Sequence, residues 1–509
     1  MAADSLYPGA PRPPHVRVAR DTRPPGARAV ARLDALVILG ASDRRAQLRS
    51  LPCTEELLRS LARRPLEPGA VRVVRPRAAA APLILFATLK PDAAMFTRLQ
   101  VAGRLVRELA EPAPRRIGVV AVDQDRESAV RSLEAAACAL WARAYDLPRF
   151  KSKRARPAPV TDVRIFGGAG LDLERLAAEA HANGLARWLT AMPANLLTPA
   201  RYRREAVRLA RQHRWRMRFY DRRALERLGA GAFLAVTRAH DAGSGIIHLS
   251  YRPRRPRRAR GARRIALVGK GVCFDTGGVN LKPHRSMLDM HTDMAGSAVV
   301  LATLEALTML EVPFAVDAWL AVAENQIGPL AYKPQDVVRS ANGTTIQVIH
   351  SDAEGRMLLA DTLALAARAR PELILDYATL TGACVTALSE RYAGVFTNRP
   401  GLRSLIEGAG VASGERVWTF PMDDDYDSDL ESRVADVLQC AIDGKGDHIL
   451  AARFLKRFVP DGIPWAHFDL AASQRSGGLG HVTTDITGFG VRYSLNLLLD
   501  SGILTRLKS

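Results

Sequence analysis

The chain has 509 residues, 48% hydrophobic and 6% aromatic, with a formal charge of +21 at neutral pH. This composition excludes a fibrous or wholly disordered protein and allows two or three globular domains with a sizeable core. The longest tight apolar cluster, "APLILFATL" at 81–89, falls short of the roughly 20 residues a membrane helix needs, so no membrane association is expected.

The first thirty residues are rich in Pro and Arg and contain no apolar run, so they read as a disordered basic tail (1–30) rather than a secretory signal. Five scattered cysteines (Cys53, Cys138, Cys273, Cys384, Cys440) without a C-x-x-C pair fit a reduced, cytoplasmic location. From residue 33 apolar strands alternate with amphipathic helices: "LDALVILGA", "TEELLRSLARR", "PLILFATL", "MFTRLQVAGRLVRELAE", "RRIGVVAVD", "ESAVRSLEAAACALWARAYDL". That is the pattern of an α/β domain over 31–170, and its lack of a compact cluster of ligating residues suggests a structural or assembly role. A helical pattern at 172–192 reads as a linking helix (171–195). The remainder, 196–509, reads as a larger α/β domain with a central mixed sheet flanked by helices. Its strands are "IALVGKGVCF", "FAVDAWLAVAE", "TIQVIH" and "ELILDYATL". The fold class is therefore α/β with two domains.

The chemistry gathers in this second domain. "VGKGVCFDTGGVNLKP" carries Lys270, Asp275 and Lys282 after an apolar strand, "MLDMHTDMAGSAVV" carries Asp293 at a helix start, and "IHSDAEGR" carries Asp352, Glu354 and Arg356 after another strand. Each has a plain local reading: Ser351 and Glu354 have capping-box spacing, Asp293 suits an N-cap, Asp275 a turn and Lys282 a surface charge. Taken together they imply something else, because strand ends of an open α/β sheet converge on one crevice. Four acids gathered there would repel unless cations sat between them. Two divalent ions about 3.5–4 Å apart, sharing carboxylates, would neutralise the acids and activate a water. A lysine of lowered pKa could then ligate as a neutral amine while another stays charged and faces the reacting oxygen.

These segments, with "DYATLTGACVTALSERYAGVFTN", "PWAHFDLA" and "TTDITGFGVR", resemble the leucyl (cytosol) aminopeptidase family of dizinc exopeptidases over roughly 185–495. The resemblance implies an enzyme that releases N-terminal residues from peptide substrates, using two Zn2+ or Mn2+ ions. One ion would be held by Lys270, Asp275, Asp293 and Glu354, the other by Asp275, Asp352 and Glu354, and a hydroxide bridging them would attack the peptide carbonyl. Lys282 would stabilise the oxyanion, and Arg356 would hold a bicarbonate that shuttles the proton. Met290, Thr379 and Gly382 match the family's side-chain pocket, which implies a preference for apolar N-terminal residues, and a homo-hexamer with inward-facing sites is implied as well.

The sequence also departs from the family. His350 and Ser351 stand in place of the Asn-Thr of N-T-D-A-E-G-R, His291 stands where a lysine or arginine is usual, and "GDHILAA" at 446–452 replaces the small-residue pattern "GGAITAA". His350 reads as a specificity-determining residue rather than a ligand, because the family's set already fills the coordination of zinc. The chain contains no G-x-S-x-G, Walker A or H-E-x-x-H motif, which sets aside serine hydrolases, P-loop enzymes and thermolysin-like proteases. The alternatives are a DNA-binding regulatory protein and a catalytically weakened scaffold. The run "RPRRPRRARGARR" at 252–264, eight arginines in thirteen positions, supports at most weak, non-specific nucleic-acid contact, since no base-reading motif accompanies it.

Overall fold

The computed structural model describes residues 6–9, 16–40, 45–77, 81–109, 113–122, 125–152, 160–241, 243–253 and 263–507. The first sheet contains β1 (Arg17–Asp21), β2 (Ala35–Gly40), β3 (Val71–Val74), β4 (Leu83–Thr88), β5 (Arg116–Val122) and β6 (Asp162–Phe166), in the order β1-β6-β5-β2-β4-β3. All its neighbours are parallel except the β3–β4 pair. The side chains of β2 alternate between two cores. Ala35, Val37 and Leu39 face the helices Met95–Glu108 and Arg126–Ala144, while Leu36 and Ile38 face the short helices of 45–63. A strand buried on both faces explains the unbroken apolar run "ALVILG".

The tail reading of 1–30 needs correction. Arg17–Asp21 pair in register with Asp162–Phe166 at the edge of the first sheet, and Tyr7 donates a hydrogen bond of 2.7 Å to Glu205 Oε1 in the second domain. In this stretch Val16 and Val18 alternate with arginines and pack on the core, so a half-buried edge strand lies within a composition dominated by Pro and Arg.

The second domain is built on β7 (Arg216–Tyr220), β8 (Gly245–Tyr251), β9 (Arg264–Asp275), β10 (Ala315–Asn325), β13 (Leu373–Ala378), β14 (Ala393–Thr397), β15 (Val417–Thr419) and β17 (Trp465–Asp469). Their order is β15-β14-β17-β13-β9-β10-β8-β7. The central strands β17, β13, β9 and β10 run parallel, and β14 and β8 join antiparallel on either side, giving the mixed sheet expected. Alternate residues of β9 again serve two cores. Ile265 and Leu267 pack with the helices Leu173–Thr190 and Ala295–Met309, and Ala266 and Val268 pack with Glu354–Ala367 and Asp447–Lys456.

"TIQVIH" is a strand, but not of this sheet. Its β12 (Thr345–Gln347) lies between β11 (Val337–Arg339) and β16 (Val437–Leu438) in a separate three-stranded sheet. Residues 254–262, most of the arginine-rich run, lie outside the described residues. At its flanks, Arg252 and Arg264 both reach Asp317. Among the described residues no helix is long and apolar enough to cross a membrane.

Candidate metal centre

The carboxyl ends of the central parallel strands carry the site. Asp275 is the last residue of β9, Asn325 the last of β10, and Thr379 follows β13 directly. An irregularity in the β9–β10 pairing brings Asn325 opposite Asp275. The Asn325 amide donates to Asp275 Oδ1 at 2.8 Å and to the Ser351 carbonyl at 3.0 Å, linking two of the predicted segments. After β9 the chain turns through Gly277 and Gly278 at φ +85° and +67°, a left-handed pair that suits glycine. The Gly277 N–H donates to Asp275 Oδ1 at 2.8 Å.

Asp275, Asp293 and Glu354 are all buried, and each offers a carboxylate oxygen within 4.8 Å of the others. Lys270 lies between two of them, its Nζ at 2.8 Å from Asp293 Oδ1 and 2.9 Å from Glu354 Oε1, and it also donates to the Thr379 carbonyl at 3.0 Å. Thr379 Oγ1 donates to Asp293 Oδ1 at 2.7 Å. Lys282 joins Asp275 Oδ2, at 3.0 Å, to Asp352 Oδ1. Asp352 is half-buried and stands outside the trio, held to it through Lys282. At the start of the helix Glu354–Ala367, a Cβ on Gly355 would lie 2.7 Å from Lys270 Cε, so only a glycine admits the lysine stem this close.

Four carboxylates thus face two ammonium groups. Burial, reinforced by the charge of Asp275, pushes Glu354 up to about 8, and burial holds Asp293 at about 6 against the pull of Lys270. Burial alone would depress both lysines. The surrounding carboxylates outweigh it, Asp293 and Glu354 foremost for Lys270 and Asp275 for Lys282, and both pKa values rise. Cations between acid and amine would invert that field. Asp293 Oδ2 and Glu354 Oε2 are buried without a hydrogen-bond partner, which carboxylate oxygens rarely are. The excess of acid and these open oxygens fit a divalent cation held by the trio Asp275, Asp293 and Glu354.

The local readings give way. Ser351 makes no capping box: its hydroxyl donates to the Gly277 carbonyl at 2.6 Å, and the helix starting at Glu354 has no side-chain cap. Asp293 is likewise not a cap, since Met294 precedes the helix Ala295–Met309 without a capping bond. His350 is exposed, and its Nδ1 accepts from the Asp352 N–H at 3.3 Å, so that nitrogen is engaged locally. Met290 opens a 3-10 turn leading to Asp293, and Gly382 is exposed at the start of the helix Gly382–Leu388.

Arg356 is buried, and its Nη2 donates to both carboxylate oxygens of Asp447, at 2.8 and 2.9 Å. Its Nη1 donates to the Gln439 carbonyl at 3.3 Å, and its Nε is buried without a hydrogen-bond partner. Sequence reasoning missed Asn325, Tyr332 and Gln439 as well. Tyr332 donates to the Ser351 carbonyl at 2.6 Å. Gln439 accepts from the Ile349 and His350 N–H groups at 3.0 Å and donates to the Ala353 carbonyl at 3.1 Å, clamping the acid-bearing loop. No local motif announces these three. Asp447 lay in plain view within the departure "GDHILAA".

An α/β sheet with buried acids gathered at the ends of its central strands defines a candidate cation-binding protein. The family model described as "Cytosol aminopeptidase family, catalytic domain" matches residues 184–495. A probable cytosol aminopeptidase of Synechococcus sp. (strain WH7803) is 40% identical over 383 residues, covering 74% of this chain and 76% of the relative. Others are a probable cytosol aminopeptidase of Prochlorococcus marinus (strain MIT 9313), 40% identical over 374 residues with 71% and 75% covered, and one of Aquifex aeolicus (strain VF5), 37% identical over 361 residues with 70% and 72% covered. The chain belongs to the cytosol aminopeptidase family.

Proposed function

We propose that the protein is a metal-dependent aminopeptidase that removes N-terminal, chiefly apolar, residues from peptides. The observation that carries this reading is the buried trio Asp275, Asp293 and Glu354, with two carboxylate oxygens open and two lysines inserted. Divalent ions bound there would supply Lewis acidity and an activated water.

The chain's own groups do the rest. Lys282 is less deeply buried than Lys270, and its ammonium group, paired with Asp275 and Asp352, would turn to the developing oxyanion of the substrate carbonyl. Thr379 orients Asp293 through its hydroxyl and Lys270 through its carbonyl. Met290, Gly382 and His350 would contact the side chain of the residue being released. Cytoplasmic location and assembly as a hexamer with inward-facing sites belong to the same reading, and the mass of the particle in solution tests the assembly.

The decisive experiment measures divalent-metal content alongside turnover on a panel of aminoacyl amides. Up to two ions per chain and loss of activity with a chelator are expected. Full activity in a rigorously metal-free preparation would overturn the proposal.

A further inference from the structure

We propose that Gln439 is a positioning residue that sets the affinity of one cation position, the one completed by Asp352, and not that of the buried trio. The inference rests on the metal-dependent reading above, in which Asp352 joins Asp275 and Glu354 around a second ion.

Asp352 lies on a segment that has just left its sheet. The β12–β16 ladder ends where the Gln439 N–H donates to the Gln347 carbonyl at 2.9 Å. On the other side of β12, Val348 still pairs: its N–H donates to the Asp336 carbonyl and its carbonyl accepts from the Gln335 N–H, both at 2.8 Å. Beyond Val348 the Gln439 side chain takes the place of a neighbouring strand. Its Oε1 accepts from the Ile349 and His350 N–H groups, both at 3.0 Å, and its Nε2 donates to the Ala353 carbonyl at 3.1 Å. These contacts bracket Asp352 on both sides. Gln439 is wholly buried, so a side chain of equal length without an amide would strand two N–H groups and a carbonyl against an apolar surface.

The four acids differ in what else holds them. Glu354 opens the helix Glu354–Ala367, buried along its whole length, and pairs with Lys270. Asp275 accepts from the Gly277 N–H and the Asn325 amide, and Asp293 accepts from Thr379. None of these contacts runs through Gln439. Asp352 is the most open of the four, its side chain 27% exposed. Its carboxylate meets Lys282, and its N–H donates to Nδ1 of His350, whose own N–H Gln439 holds. Loss of the amide therefore frees Asp352 and spares the trio. Ser351 stays tied to Gly277 and Asn325, so the segment shifts without unravelling. Arg356 bonds the Gln439 main-chain carbonyl, a contact that a side-chain replacement preserves.

The test titrates the full-length protein, stripped of metal, with Mn2+ in a calorimeter, comparing wild type, Gln439→Met, Gln439→Asn and Ser432→Ala. Wild type should take up two equivalents. Gln439→Met should bind the first as wild type does and the second about 10–100-fold more weakly, the range for losing a group that orients a ligand. Gln439→Asn keeps an amide on a shorter stem and should weaken the second equivalent less. Ser432→Ala removes a hydrogen bond of 2.6 Å to Gln347 Oε1, in the same small sheet but away from the clamp, and should match wild type for both. Amide exchange of the metal-free protein is a second readout: residues 349–353 should exchange faster in Gln439→Met, and the helix Glu354–Ala367 should not. Binding of both equivalents by Gln439→Met as tightly as by wild type, or parallel weakening of both, would overturn the inference, as would an equal loss in Ser432→Ala. A wild type that binds fewer than two equivalents overturns the two-ion reading instead, and the exchange comparison then decides whether Gln439 holds the Asp352 segment.

Discussion

Lys282 reaches Asp275 and Asp352 from a partly exposed position, whereas Glu354 is buried and paired with Lys270. Their removal should have different consequences. Glu354→Ala takes away a shared acid and is expected to lose bound metal and activity together, as metal analysis of the purified variant would show. Lys282→Ala should keep its metal and lose about 10²–10³ in turnover, the scale for deleting one oxyanion donor. An unchanged rate would show that the ammonium group only balances Asp352. His350 offers a third contrast, because its side chain is exposed and its Nδ1 is taken up locally. His350→Asn should alter the ranking of aminoacyl-amide substrates and leave metal content as it was. A large loss of metal would make it a ligand.

Among the elements, the helix Ala295–Met309 is tied to two others by one buried acid. Glu305 Oε1 meets His213 Nε2 at 2.7 Å, at the end of the helix Pro199–His213, and Oε2 meets His181 Nε2 at 3.2 Å on the helix Leu173–Thr190. Burial would raise this carboxyl, but hydrogen bonds from the two histidines and their charge outweigh it and hold it at about 2. A folded-state pKa below the unfolded one contributes stability above the unfolded value, about 4.3, and that stability is lost as pH falls toward 2. The melting temperature of wild type should therefore exceed that of Glu305→Gln at pH 6, and the gap should close on acidification. A gap that does not vary with pH would remove the ionic account of this contact.

The same helices show what a sequence discloses. Alternating apolar runs announce strands buried on both faces, and acids immediately after such runs mark the crevice, so the acid and lysine set of the centre was legible. Asn325, Tyr332 and Gln439 were not, because each meets the centre through folding rather than spacing. Gln439 clamps residues some 90 positions away. Nor can a short β pattern such as "TIQVIH" say which sheet it will join. Ser351 misled in the other direction: its spacing to Glu354 suited a cap, but the Gly277 loop took its hydroxyl.

At the scale of the whole molecule the two domains are joined by a buried cation. Arg492 lies in the second domain, on the helix Val491–Leu499, and pairs with Glu134 of the first domain's helix Arg126–Ala144. Its Nη1 is 2.5 Å from Glu179 on the helix between the domains, and its Nε donates to the Ser413 carbonyl at 2.6 Å. Removing one partner of a buried pair leaves the other charge desolvated. Arg492→Met should therefore cost about 3–5 kcal/mol, with Arg492→Met/Glu179→Leu recovering much of it. Denaturant midpoints of the three proteins test this, and additive losses would show that Glu179 does not depend on Arg492. Metal content of Arg492→Met should match wild type, because Arg492 touches none of the centre's acids.

Strand β1 has a practical consequence. Expression trials commonly trim a Pro- and Arg-rich leader, and a chain starting at Leu33 would look like a tidy globular unit. It would lack Arg17–Asp21, leaving the backbone donors and acceptors of Asp162–Phe166 open along the rim of the sheet. An uncovered rim recruits strands from other molecules. The shortened protein should therefore scatter light and precipitate at concentrations where the full chain stays dispersed, and restoring residues 16–32 alone should return it to solution.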